Sequence, residues 1–271
     1  MRITISDDFD LYKIADSGQC FRFNACGEGY TVIAGDKYLF IKQVGENEYD
    51  LSCSKAEYED FWKEYFDLGL NYSQLRGRID PKEDPYLFAA AEYGKGIRIL
   101  KQDPWEMLIS FIISQRKNIP AIKASIEKLC AKVGRVAGTT PEGEVLYAFP
   151  TAKEIAALSM EDLSACSLGY RDKYVMKAAQ DVASGYVDLD SWKDLDDAGL
   201  MERLLELFGV GVKVANCEIL FGYHRLDAFP RDVWINRVLE QEYPGGFMFD
   251  KYAPYNGIMQ QYLFFYSRTT M

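Results

Sequence analysis

The densest chemistry in this chain lies in LFGVGVKVANCEI, residues 207–219. The segment reads as a helix ending at Phe208, a tight turn at Gly209–Val210–Gly211, and a second helix starting at once. Two glycines let the backbone approach a partner closely and take up positive φ. The first N–H groups of the second helix are left unpaired, a ready seat for a phosphate. Lys213 falls in the first turn of that helix, beside its positive end, among the apolar Val212, Val214 and Ala215. Both surroundings disfavour the ammonium form and favour a free amine able to act as a nucleophile. Nineteen residues later, FPRDVWINRV (229–238) puts Pro230 at a helix start and Asp232 in the first turn. A carboxylate there either caps N–H groups or faces a cleft. Each feature alone has a plain structural explanation: glycine corners between helices are common, and a helix-start aspartate is usually a cap.

The rest of the composition narrows the alternatives. The chain has 271 residues, 48% hydrophobic and 27% charged, enough for one large domain or two smaller ones. No apolar run approaches a membrane span. The start, MRITISDDFD, is acidic and lacks the apolar stretch of a signal peptide, so the cytoplasm is the default expectation. Cysteines at 20, 26, 53, 130, 166 and 217 form no C-x-x-C pair, which favours reduced thiols and excludes a compact iron–sulfur loop. The single histidine, His224, is flanked by Tyr223 and Arg225, poor company for a zinc site or a Ser–His–Asp triad. A net charge of −10 counts against nucleic-acid binding. Its distribution softens that objection, because 111–135 carries Arg116, Lys117, Lys123, Lys128, Lys132 and Arg135 against Glu127 alone.

These residues need a scaffold, and two textures supply it. From Gln19 to Cys53, QCFRFNAC, GYTVIAG, KYLFIKQV and EYDLSC are broken by glycine turns and read as an antiparallel meander. Ser54 then opens a helix with Tyr58, Phe61, Trp62, Tyr65 and Phe66 at helical spacing. After about residue 80 the pattern reads as helical to the end. Asp103–Pro104 caps one helix, Thr151 and Glu154 form a capping box, and Tyr170 to Ser184 is closed by Gly185. Further helices are expected near 196–207, 212–223, 231–242 and 254–267. The expected fold is α+β: a small antiparallel sheet domain over 1–80, then a helical domain over 81–271.

GVGVK followed by a Pro-x-Asp helix resembles the helix-hairpin-helix DNA glycosylase superfamily. Four further segments resemble its 8-oxoguanine branch: DSGQCFRF (16–23), FIISQRKNIPAI (111–122), LGYRDKYV (168–175) and APYNGIMQQYLFFYSR (253–268). They fall in the family's order across nearly the whole chain. The resemblance implies a bifunctional glycosylase and abasic-site lyase acting on double-stranded DNA that contains oxidised guanine. Lys213 would be the nucleophile, and Asp232 would stabilise the positive charge that develops on the sugar and assist proton transfers. The Gly209–Gly211 hairpin would grip phosphate. Gly18 would offer its carbonyl to the N7 proton of the damaged base, Gln260 would bind the Watson–Crick edge, and Phe264 and Cys217 would stack on the two faces. Cys217 would also pair electrostatically with Lys213. Tyr170 would wedge into the duplex and Arg171 contact the orphaned base.

Phe23 stands where tryptophan is usual, and the chain departs from the family pattern at three further places. Arg116 and Lys117 stand where asparagines are usual, Ala121 replaces an arginine that reads the opposite cytosine, and Trp234 replaces a histidine near the flipped nucleotide's phosphate. Arg116 filling the gap and relaxed choice of the opposite base are both open. No cofactor or catalytic metal is expected, although the hairpin could hold a structural alkali ion through backbone carbonyls. A monomer is expected, nucleoid-associated in a bacterium or nuclear in a eukaryote. Two other functions fit parts of the pattern: a monofunctional alkylated-purine glycosylase on the same scaffold, and a non-catalytic DNA-binding module. Neither requires lysine, aspartate and a base-pocket helix together.

Overall fold

The computed structural model describes residues 1–270. Strands β1 (Arg2–Thr4), β2 (Phe23–Cys26), β3 (Gly29–Ala34), β4 (Lys37–Gln43) and β5 (Glu48–Leu51) form one antiparallel sheet in the order β1-β5-β4-β3-β2. Two-residue turns at Gly27–Glu28 and Gly35–Asp36 join β2 to β3 and β3 to β4 in register. Alternation turns Leu39 and Ile41 of β4 inward onto Phe23, Val32, Trp62 and Phe66. The expected meander is present, and β1 adds an edge strand that its three residues were too short to reveal. Ser54 caps the following helix as expected, its side chain accepting from Glu57 N–H. Between Tyr58 and Trp62 that helix widens to a π turn, in which Lys63 N–H reaches the Tyr58 carbonyl.

Helices fill the remainder around a second core. At its centre runs Pro104–Ser114, buried almost all round, with Phe111 stacked on Phe221 of the Val212–Phe221 helix at 5.5 Å. The expectation of helix to the end fails at one place. Strands β6 (Val136–Thr139) and β7 (Val145–Tyr147) pair as a hairpin. Gly138 lies so close to Tyr38 of β4 that a Cβ there would meet the ring at 2.4 Å. The hairpin thus packs on the sheet, and the Phe149 N–H donates to the Gly35 carbonyl at 3.1 Å beside it.

The two cores are joined by buried polar side chains. Arg98 is 1% exposed. It donates to the carbonyls of Asp8 at 2.6 Å and Asp67 at 2.7 Å, and to Asp7 Oδ2 at 2.6 Å. Charge-assisted bonds of this kind make an arginine tolerable inside. Among the described residues no helix is long and apolar enough to cross a membrane.

Candidate active site

The glycine turn follows the helix Asp197–Leu205. Gly209 has φ +85°, and a Cβ there would lie 2.3 Å from Tyr174 Cγ, so both conformation and space demand glycine. Gly211 is the N-cap of Val212–Phe221 and offers no side chain to its first turn, whose N–H groups remain available to an anion. Lys213 is in that first turn, as expected. Its Nζ stands 5.2 Å from the centroid of Phe111. Cys217 follows one helical turn later and is buried. Burial pushes the Cys217 thiol up, and Lys213 lowers it only in part. Lys213 acts on the sulfur both by its charge and by a side-chain hydrogen bond, so the two groups are in contact.

Asp232 stands just before its helix and not in the first turn. The helix is Val233–Glu242, and Asp232 is its N-cap, with φ −108° and ψ −171°. Pro230 lies outside the helix. Asp232 Oδ1 accepts the Ile235 N–H at 2.9 Å, which leaves Oδ2 for the cleft. The carboxylate thus caps the helix and faces the cavity at once.

The C-terminal helix, Asn256–Thr270, brings Gln260 and Phe264 to the same place. Gln260 is 3% exposed, so it is no surface glutamine. Its Nε2 donates to the Pro230 carbonyl at 3.0 Å, tying this helix to the Asp232 cap, and its Oε1 accepts from Gln261. Opposite stands Gly18, φ +76°, held by its neighbour Gln19. The buried Gln19 amide donates to Ser17 Oγ and the Arg98 carbonyl and accepts from Leu100 N–H, each at 2.8 Å. Gln19 therefore pins the Gly18 loop to the junction of the two cores.

Gly18, Lys213, Cys217, Asp232, Gln260 and Phe264 line one cavity of about 60 Å³. A larger cavity of about 740 Å³ shares Gly18, Lys213, Asp232 and Phe264 and adds Trp234, Lys117, Asp16 and Arg268. Trp234 is braced by Arg237, whose guanidinium lies 5.2 Å from the ring.

The segment between Pro104–Ser114 and Ile119–Val133 packs on the hairpin: Gln115 Nε2 donates to the Gly209 carbonyl at 3.0 Å. Arg116 follows with φ +51° and an exposed side chain that forms no ion pair among the described residues. Much of the basic stretch is structural. Lys123 binds the Phe23 carbonyl, Lys132 pairs with Asp162, and Arg135 binds the Phe149 carbonyl. Lys117 donates to Ser125 and to the Ser167 carbonyl, each at 2.6 Å, and burial, then Arg171 and Lys128, lowers its pKa.

Tyr170 belongs to a 3-10 turn, Gly169–Arg171, that precedes the helix Asp172–Ala183. Its ring is 47% exposed and braced edge-on by Tyr174, which packs in turn on Phe208. Arg171 is only 6% exposed. It donates to the carbonyls of Gln115 at 2.7 Å and Leu168 at 3.0 Å. Contact with an orphaned base would require it to give up those bonds. Sequence reasoning gave no individual role to Asp16, Gln115, Phe208 or Arg268. The quoted motifs contain Asp16, Gln115 and Arg268, but their contacts are tertiary.

A lysine raised on a glycine hairpin, facing a helix-capping aspartate across a narrow slot, is the layout of a helix-hairpin-helix DNA glycosylase. The chain belongs to the 8-oxoguanine DNA glycosylase family within that class. Residues 2–108 match the family model for the 8-oxoguanine DNA glycosylase N-terminal domain, and residues 109–244 match that of HhH-GPD superfamily base excision DNA repair proteins. An N-glycosylase/DNA lyase of Saccharomyces cerevisiae is 36% identical over 258 residues, covering 86% of this chain and 68% of that protein. The 8-oxoguanine glycosylase/lyase of Clostridium acetobutylicum, solved with double-stranded DNA containing cytosine opposite 8-oxoG, superposes with a TM-score of 0.89 at 33% identity, covering 99% of this chain and 98% of that one. MBOgg1, solved with a low-affinity DNA ligand, gives 0.91 at 36% identity, covering 99% and 95%.

Proposed function

We propose that this chain excises 8-oxoguanine from double-stranded DNA and then nicks the strand as an abasic-site lyase. The observation that carries the reading is the single cavity lined by Gly18, Lys213, Cys217, Asp232, Gln260 and Phe264. A base inside the stack is out of reach, so the nucleotide is flipped into the larger cavity of about 740 Å³, whose Gly18, Lys213, Asp232 and Phe264 also line this slot. The Lys213 amine attacks C1′ while the bond from C1′ to the base breaks, and the base leaves with the electron pair and takes up a proton. Asp232 stabilises the positive charge that develops on the sugar. Ring opening converts the adduct to an iminium, and loss of a C2′ proton then expels the 3′ phosphate. The Gly18 carbonyl accepts the N7 proton found only on the oxidised base, Gln260 takes the Watson–Crick edge, and Phe264 and Cys217 sandwich the ring. Tyr170 and Arg116 occupy the duplex side, the hairpin N–H groups hold phosphate, and Trp234 lies beside the flipped nucleotide.

No cofactor carries a step. An alkali ion at the Gly209–Gly211 hairpin belongs to the proposal as a structural element only. The protein acts as a monomer, where the DNA lies, in the nucleoid or the nucleus. A panel of duplexes with 8-oxoguanine opposite each of the four bases, and one with 3-methyladenine, tests the reading. Release of 8-oxoguanine with strand nicking is expected. Release of 3-methyladenine alone, without nicking, would sink it.

A further inference from the structure

The groups assigned to base recognition come from opposite ends of the chain, and one ion pair ties those ends together at the cavity. Arg268 Nη2 donates to the Asp16 carbonyl at 2.6 Å and also contacts Asp16 Oδ2. Its guanidinium carbon lies 5.7 Å from the centroid of Phe264. Both residues line the cavity of about 740 Å³ that contains Lys213 and Asp232. Asp16 ends the helix Leu11–Asp16 two residues before Gly18, and Arg268 stands one helical turn after Phe264. A cation at a helix C-terminus is favourably placed. The two side chains keep 20% and 43% of their exposure, so the pair adds little to overall stability.

Its position gives it another consequence. Gly18 and Phe264 are in contact, and a base held by both must find them at a fixed separation. Small errors in such geometry cost rate steeply.

We propose that Arg268 is a positioning residue for recognition of the damaged base. Through Asp16 it fixes the Gly18 carbonyl relative to Phe264 and Gln260. It takes no part in the chemistry at C1′. The inference rests on the reading of Gly18 as a base contact, and it separates the two activities. Base release needs the slot, whereas cleavage at an abasic site has no base to seat.

The test compares single-turnover base release from an 8-oxoguanine duplex with strand cleavage of a preformed abasic duplex, for wild type, Arg268→Ala, Arg268→Lys and Asp16→Asn. Arg268→Ala should slow base release about tenfold and leave abasic cleavage within about twofold. Arg268→Lys should recover part of the loss. Asp16→Asn, which keeps the carbonyl contact, should lose less than Arg268→Ala and serves as the readout if the alanine variant folds poorly. Equal loss of both activities in a variant with the wild-type melting temperature would overturn the proposal, as would unchanged base release. Absence of both activities in the wild type would instead count against the glycosylase/lyase reading itself.

Discussion

Gly18 and Phe264 touch: a Cβ built on Gly18 would stand 3.0 Å from Phe264 Cε1. The phenylalanine therefore closes on the Gly18 turn, where a Cβ would make the ring give way by a few tenths of an ångström and φ +76° favours glycine. Gly18→Ala adds a methyl group at φ +76°. The left-handed backbone alone costs about 1–2 kcal/mol, and Phe264 must shift as well. Thermal unfolding should register that loss. Release of 8-oxoguanine should fall about tenfold or more, while cleavage of an abasic duplex persists. A variant that releases the base like wild type would remove Gly18 from recognition.

Asp232 serves two ends with two oxygens, and substitution separates them. Asparagine caps helices as well as aspartate, whereas alanine loses the cap, at about 1 kcal/mol. Asp232→Asn should keep the melting temperature and bind the lesion duplex, yet lose most of its turnover. Asp232→Ala should lose both turnover and stability. If Asp232→Asn turns over normally, the carboxylate is only a cap.

Glu106 makes stability depend on pH. It is 5% exposed and accepts the Gly35 N–H at 3.3 Å, across the junction with the sheet. Burial pushes its carboxyl up to about 7 from 4.5, against the pull of Arg22. The folded protein thus holds a proton that the unfolded chain releases between those two values. Stability from this group is greatest below the window and falls as pH rises through it, by on the order of 3 kcal/mol. Glu106→Gln should flatten the fall in melting temperature between pH 5 and pH 8. An unchanged slope would assign it to other groups.

Local rules placed Lys213 and Asp232 at two helix starts, one after a glycine turn and one near a proline, while their chemical roles came from the resemblance. The precise position of Asp232 was less legible. Pro230 has a backbone fit for a first helical turn, but the helix begins three residues later because the carboxylate itself serves as the cap. The sheet was legible through alternation and paired glycine turns. The β6–β7 hairpin was not, since it packs on residues distant in sequence, Tyr38 and Gly35 among them. The resemblance gave Arg171 contact with the orphaned base, yet it is buried against two carbonyls, which no local pattern shows. Asp16 and Arg268 are separated by 252 positions, beyond the reach of any spacing rule.

The central claim is that Lys213 forms a covalent bond to the sugar. Borohydride reduction during reaction with an 8-oxoguanine duplex should trap wild type as a protein–DNA adduct and leave Lys213→Gln untrapped. Trapping of Lys213→Gln at the wild-type level would contradict the account.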